Sequence, residues 1–142
     1  MTTMSARAAT PSDGPPQRSA SPSSDGDDLN LAVVTGTISS EPVWRDLPSG
    51  SRLLEFSVTS RSDTGATSVP VVWEDPPRRA ASLAADSRVV VRGHIRRRFF
   101  RAGGATASRT ELVAAQVSSG RARRSVASCL AAAATLLERH QR

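Results

Sequence analysis

Between residues 31 and 119 apolar side chains recur mostly at strand spacing, and the stretches on either side do not follow that pattern. Leu54, Phe56 and Val58 alternate with Glu55, Ser57 and Thr59, so residues 52–60 predict a half-buried strand. Residues 31–38, LAVVTGTI, are rich in branched side chains and interrupted by Gly36, as a strand with a bulge or tight bend would be. Pro42, Pro48 and the turn pair Ser49-Gly50 mark residues 39–51 as a loop. After a polar turn around 63–65, a third β-rich run covers 68–73, where Pro70 points to an edge or an irregular stretch. Pro76-Pro77 ahead of RRAASLAA predicts a short helix with prolines at its start. Asp86-Ser87 then turns the chain into the longest strand, 88–100. Gly103-Gly104 marks a hairpin turn, and residues 108–117 return antiparallel.

The order is three strands, a short helix and two strands. The fold class this predicts is all-β: a five-stranded OB-fold barrel with one short helix between strands 3 and 4. A C-terminal helix lies outside the barrel. There Ser125 is positioned as an N-cap for a helix over 126–139, with Val126, Leu130, Ala133 and Leu137 on one stripe. Residues 1–29 are dominated by Ser, Pro, Asp and Gly; such a segment buries too little apolar surface to offset its ordering entropy, and is expected to be disordered. The predicted organisation is a 1–29 leader, a 30–119 barrel and a basic, Ala-rich 120–142 tail.

Charge sharpens this picture. The 142 residues carry a formal net charge of +6, and every basic side chain is Arg. The excess sits on the barrel, with twelve Arg against eight acids, and on the tail, with five Arg against one Glu. The leader has two Arg against four Asp. Arginine in excess favours an anionic partner, because its planar fork grips phosphate and stacks on flat rings. The single Cys129 has no partner for an intramolecular disulfide, which fits a reducing cytosol. No apolar run approaches a signal-peptide core or a membrane span, so the expected location is cytoplasmic, with no membrane partner.

With those elements in place, residues 30–119 resemble the bacterial single-stranded DNA-binding proteins. The likeness runs through Asn30-Leu31, Gly36-Thr37-Ile38, Glu41-Pro42 with Arg45, and Pro48-Ser49-Gly50. It continues through Phe56-Ser57-Val58, Val71-Val72-Trp73, Ala80 to Ala84 and Val89-Val90-Val91-Arg92-Gly93-His94-Ile95. Arg98-Phe99-Phe100 and Glu111-Leu112-Val113 complete it. The resemblance implies an OB barrel that assembles as a homotetramer or homodimer and wraps single-stranded DNA with little sequence preference. It also implies base-stacking aromatics at Trp73 and Phe100. This chain departs from the family in having no Tyr and in carrying Thr67 and Arg61 near positions where relatives often hold another aromatic. It ends in Arg139-His140-Gln141-Arg142 rather than in an acidic tip, so recruitment of repair proteins through such a tip is not expected.

Strand periodicity sorts the candidate site. On 88–100 the set Val89, Val91, Gly93, Ile95, Arg97 and Phe99 begins as core, leaving Val90, Arg92, His94, Arg96, Arg98 and Phe100 to face outward; a bulge at Gly93 would change that phase. The candidate nucleic-acid contacts are Trp73, Arg92, Arg96, Arg98 and Phe100, with Arg45 in support. A base stacked on a ring is worth about 1–3 kcal/mol, and a neighbouring Arg adds phosphate neutralisation. Against this, a large aromatic such as Trp73 is often simply core. Trp44, between Pro42 and Pro48, either caps the barrel or stacks on a base.

No catalytic residues, metal or cofactor are predicted. Two His and one Cys do not make an ordinary zinc cluster, and without Lys there is no phosphate-binding loop of the Gly-Lys type. Glu74-Asp75 reads as a loop cap before two prolines, and Cys129 as a small buried hydrophobe. The expectation is a non-enzymatic, sequence-nonspecific single-stranded DNA-binding protein of replication, recombination or repair. The rivals are an OB module that docks protein through the 126–137 stripe and a binder of single-stranded RNA.

Overall fold

The computed structural model describes residues 28–142. Its strands are β1 (Ala32–Ile38), β2 (Val43–Asp46), β3 (Arg52–Ser62), β4 (Gly65–Glu74), β5 (Arg88–Ala102) and β6 (Ala105–Ser119), followed by the helix α1 (Arg123–His140). The disorder expected for 1–29 falls on residues that, through 27, lie outside the described ones. No helix among the described residues is long and apolar enough to cross a membrane.

Five strands close into a mixed barrel in the order β1-β5-β6-β4-β3, with β1 returning to β3. Four of these contacts are antiparallel, while β4 and β6 run parallel at Val71↔Leu112 and Val72↔Val113. One 3-10 turn, Arg78–Ser82, lies between β4 and β5, and its Ala80 is buried against the barrel. The arrangement is consistent with an OB-like barrel. Two glycines make the closure possible. A Cβ on Gly36 would collide with the Thr59 carbonyl where β1 meets β3, and one on Gly93 would collide with the Val113 carbonyl.

The core takes one side chain in two from each barrel strand: Ile38 from β1, Leu54, Phe56 and Val58 from β3, and Val71 and Trp73 from β4. Val89 and Val91 come from β5, and Leu112, Ala114 and Val117 from β6. The spacing on β6 jumps by three between Ala114 and Val117 because the ladder slips there. Arg92 pairs with Gln116 but Gly93 with Ala114, so Ala115 is the extra residue. The irregularity lies at the level of Gly93, but its extra residue belongs to β6, and the alternation along β5 runs on unbroken.

Four local expectations are corrected. The predicted loop 39–51 contains the short strand β2, which pairs with β3 from Val43↔Glu55 to Asp46↔Arg52. The helix after Pro76-Pro77 is only a single 3-10 turn. In α1, Ala122 stands at the N-cap position with no side-chain cap, and the Ser125 hydroxyl bonds Ser118 instead. The predicted α1 stripe also divides. Cys129 and Ala133 are buried against the barrel, whereas Leu130 and Leu137 are 46% and 45% exposed.

Candidate nucleic-acid interface

Beyond the barrel, β5 and β6 continue as a paired ribbon. Their ladder runs unbroken from Gly93↔Ala114 to Ala102↔Ala105, and the two-residue turn Gly103-Gly104 has φ of +57° and +81°. Positive φ at both turn residues matches the right-handed twist of the ribbon. The hairpin of β3 and β4 projects from the same end, since β4 and β6 are parallel. Gly65 lies six residues before Val71, and Ala105 seven before Leu112, so both arms extend about 20 Å past the shared pair. At the base of the β5–β6 arm the Asn30 amide brackets Ile95, accepting from its N–H at 2.9 Å and donating to its carbonyl at 2.7 Å. A side chain thus continues the pairing one step beyond β1.

Both faces of this arm are open. Phe99 is 66% exposed on one and Phe100 is 40% exposed on the other. Each ring carries a guanidinium near its face: Arg97 at 5.5 Å from Phe99 and Arg98 at 5.8 Å from Phe100. Arg97 is further held by the Ser108 hydroxyl at 2.9 and 3.1 Å. From Ile95 to Thr110 the chain has five Arg and no acid. Among the described residues Arg97, Arg101 and Arg109 form no ion pair.

Where the arm meets the barrel, acids enter. Glu111 is 1% exposed, and Arg96 donates Nε and Nη2 to its Oε1 at 3.3 and 2.8 Å. The same guanidinium donates Nη1 to Glu74 at 3.1 Å, and Arg98 lies 3.8 Å from Glu111. Glu111, then Glu74, holds the Arg96 guanidinium above its ordinary pKa, against a partial desolvation. Arg45, on β2, pairs with Glu55 at 2.7 Å.

No protein-family model and no curated protein matches the chain.

Arg96, Arg98 and Phe100 share one face, as their cross-strand partners Glu111, Arg109 and Ala107 require. Arg45 is exposed, but its partner Glu55 holds it. Two expected contacts are placed elsewhere. Trp73 is 5% exposed within the core, paired opposite Leu54, with Arg79 over its ring at 5.8 Å. The face that Val71 and Trp73 share is the interior one, so this ring is not offered to a base. Arg92 lies under α1, beside Cys129, and donates to Gln116 at 3.4 Å; its buried Nε has no partner among the described residues. Helix docking removes Arg92 from the open surface. The same burial pushes the Cys129 thiol pKa up, against the opposing pull of Arg92 and the Ser118 hydroxyl.

Sequence reasoning left Arg97, Phe99, Arg101 and Arg109 out of the site, and the arm brings all four to the surface. The signal was available: once the ribbon leaves the barrel, both of its faces are outer faces, and the inward set of 88–100 becomes solvent-facing from Ile95 on.

Proposed function

We propose that this protein binds single-stranded DNA without sequence preference, in replication, recombination or repair, in the manner of the bacterial single-stranded DNA-binding proteins its sequence resembles. The observation that carries the reading is the β5–β6 arm, which bears a ring and a neighbouring guanidinium on each face and no acid from Ile95 to Thr110. An exposed ring offers a flat stacking surface, and a base adds about 1–3 kcal/mol of stacking per ring. Arg97, Arg98, Arg101 and Arg109 supply the phosphate contacts. In this reading the protein works as a homo-oligomer at the nucleoid, without catalysis.

Fluorescence anisotropy of labelled oligo-dT tests the proposal. Saturable binding that weakens by about 1–3 kcal/mol in Phe100→Ala, and again in Phe99→Ala, is the expected result. Anisotropy that stays flat to high micromolar protein overturns it. A stronger signal with oligo-U than with oligo-dT would transfer the reading to RNA, where the 2′-hydroxyl distinguishes the two.

A second reading has its own observation. Leu130 and Leu137 stand exposed on α1 at a spacing of seven residues, which is the geometry of a helix face that docks protein. Light scattering across a concentration series tests whether that partner is a second copy. A Leu130→Glu, Leu137→Glu variant that leaves the mass unchanged removes self-association through this face.

A further inference from the structure

At the end of the barrel where β4 finishes, a cleft of about 470 Å³ opens between β2, the start of β3 and the 3-10 turn, lined by Trp44, Arg52, Asp75, Pro76, Pro77 and Arg78 with Ala81. We propose that this cleft is a nucleotide subsite, holding one base of a bound single strand against Trp44 and the adjoining phosphate on Arg78. The inference rests on the single-stranded DNA reading and extends it to a surface the arm does not reach.

Trp44 is the ring suited to this. It packs its inner part against the core and is half-buried, so it is held in place while part of it faces the cleft. The Arg52 guanidinium lies over that ring at 4.4 Å from its centre, which shows that a flat group fits there. Arg52 is lightly held: its carboxylate partner is Asp46 at 3.3 Å, with side chains 58% and 86% exposed, a pairing of little worth in water. A base arriving on the indole exchanges one stacked plane for another and releases the guanidinium toward the phosphate. Arg78, exposed on the 3-10 turn, forms no ion pair among the described residues.

The wall is also fixed. Asp75 sits at φ +46°, a left-handed backbone that a non-glycine residue adopts only when its surroundings impose it. They do so here by a reciprocal pair: the Asp75 N–H donates to the Arg52 carbonyl at 2.8 Å, and its carboxylate accepts the Arg52 N–H at 3.2 Å. Pro76 and Pro77 follow, rigid and without N–H donors, so the backbone of this wall offers no donor to a base edge. One side-chain contact links the base of the arm to the cleft. Arg96 on β5 reaches Glu74 at 3.1 Å, and the next residue along the chain is Asp75. Phe100 pairs with Ala107, five residues before Leu112, and Asp75 lies four residues past Val71, so about 30 Å along the strands separates the arm's ring from the cleft, a span within the ~4–16 nucleotides one such barrel accommodates.

The two tryptophans make the test selective, because Trp73 is buried in the core and Trp44 is not. Oligo-dT is titrated into the whole chain with anisotropy of the labelled strand and tryptophan emission read together. Binding accompanied by quenching, with the quenching lost in Trp44→Phe, is the expected outcome. Arg78→Ala should then weaken binding and flatten the log–log salt slope by about 0.7, a readout that does not depend on altering the packed indole. Binding by anisotropy with unaltered tryptophan emission and an unaltered Arg78→Ala slope overturns the subsite and leaves the arm standing. No binding by anisotropy removes the DNA reading and the subsite with it. Quenching by a proline-rich peptide but not by oligo-dT assigns the cleft to protein and overturns the proposal.

Discussion

At the scale of single residues, the balance between Glu111 and the arginines above it governs how much positive charge the arm's base presents. Glu111 is almost wholly covered, and Arg96 spends two of its donors on it. Replacing this carboxylate in Glu111→Gln keeps the shape and removes the charge. Thermal unfolding should show a loss of about 1.5–3 kcal/mol, the usual worth of a hydrogen bond to a charged group. Strand binding should move the other way, tightening as Arg96 is released from Glu111, with a salt slope steeper by about 0.7 for the phosphate gained. Tightening without loss of stability, or the reverse, would separate two effects that the geometry joins. Gly93 sets a second limit at this scale. Its hydrogen faces the Val113 carbonyl, and a methyl group there has no space. Gly93→Ala is therefore expected to cost about 1–3 kcal/mol or more in denaturant unfolding, as overpacked positions do.

At the scale of elements, the arm depends on a turn that only glycine enters freely. Gly103 and Gly104 both have positive φ, and an alanine in that region costs roughly 1–2 kcal/mol per residue. Substituting both should loosen the ribbon between residues 97 and 108, visible as faster amide exchange there, while the barrel amides keep their protection. Much of this element structure was legible in the chain. The alternation Leu54, Phe56, Val58 and the Gly-Gly turn led directly to β3 and the β5–β6 hairpin. What escaped was set by neighbours far off in sequence. A period of two groups Val71 with Trp73 but does not say which face is interior; the pairings with Leu54 and Leu112 decide that. Arg92 reads as outward until α1 covers it, and no local pattern announces where a helix docks. The strand β2 is four residues long, too short to display alternation inside a Pro- and Gly-rich loop. Leu130 and Leu137 joined the helical stripe by spacing alone, but the helix meets the barrel through the smaller Cys129 and Ala133.

For the molecule as a whole, the closed barrel has the two projecting arms at one end and the cleft at Trp44 toward the other. If the four arginines of the arm, Arg97, Arg98, Arg101 and Arg109, each neutralise one phosphate, log affinity should fall against log salt with a slope near −3, by the ~0.7 per contact typical of single strands. Affinities measured at several salt concentrations check this, and a slope near zero would mean that stacking alone carries the complex. The ribbon itself imposes something further. Because Phe99 and Phe100 stand back to back on a partition one sheet thick, a single chain of nucleotides engaging both must double around the rim, bringing its ends nearer each other. A protein built this way would compact the polymer it holds instead of stretching it.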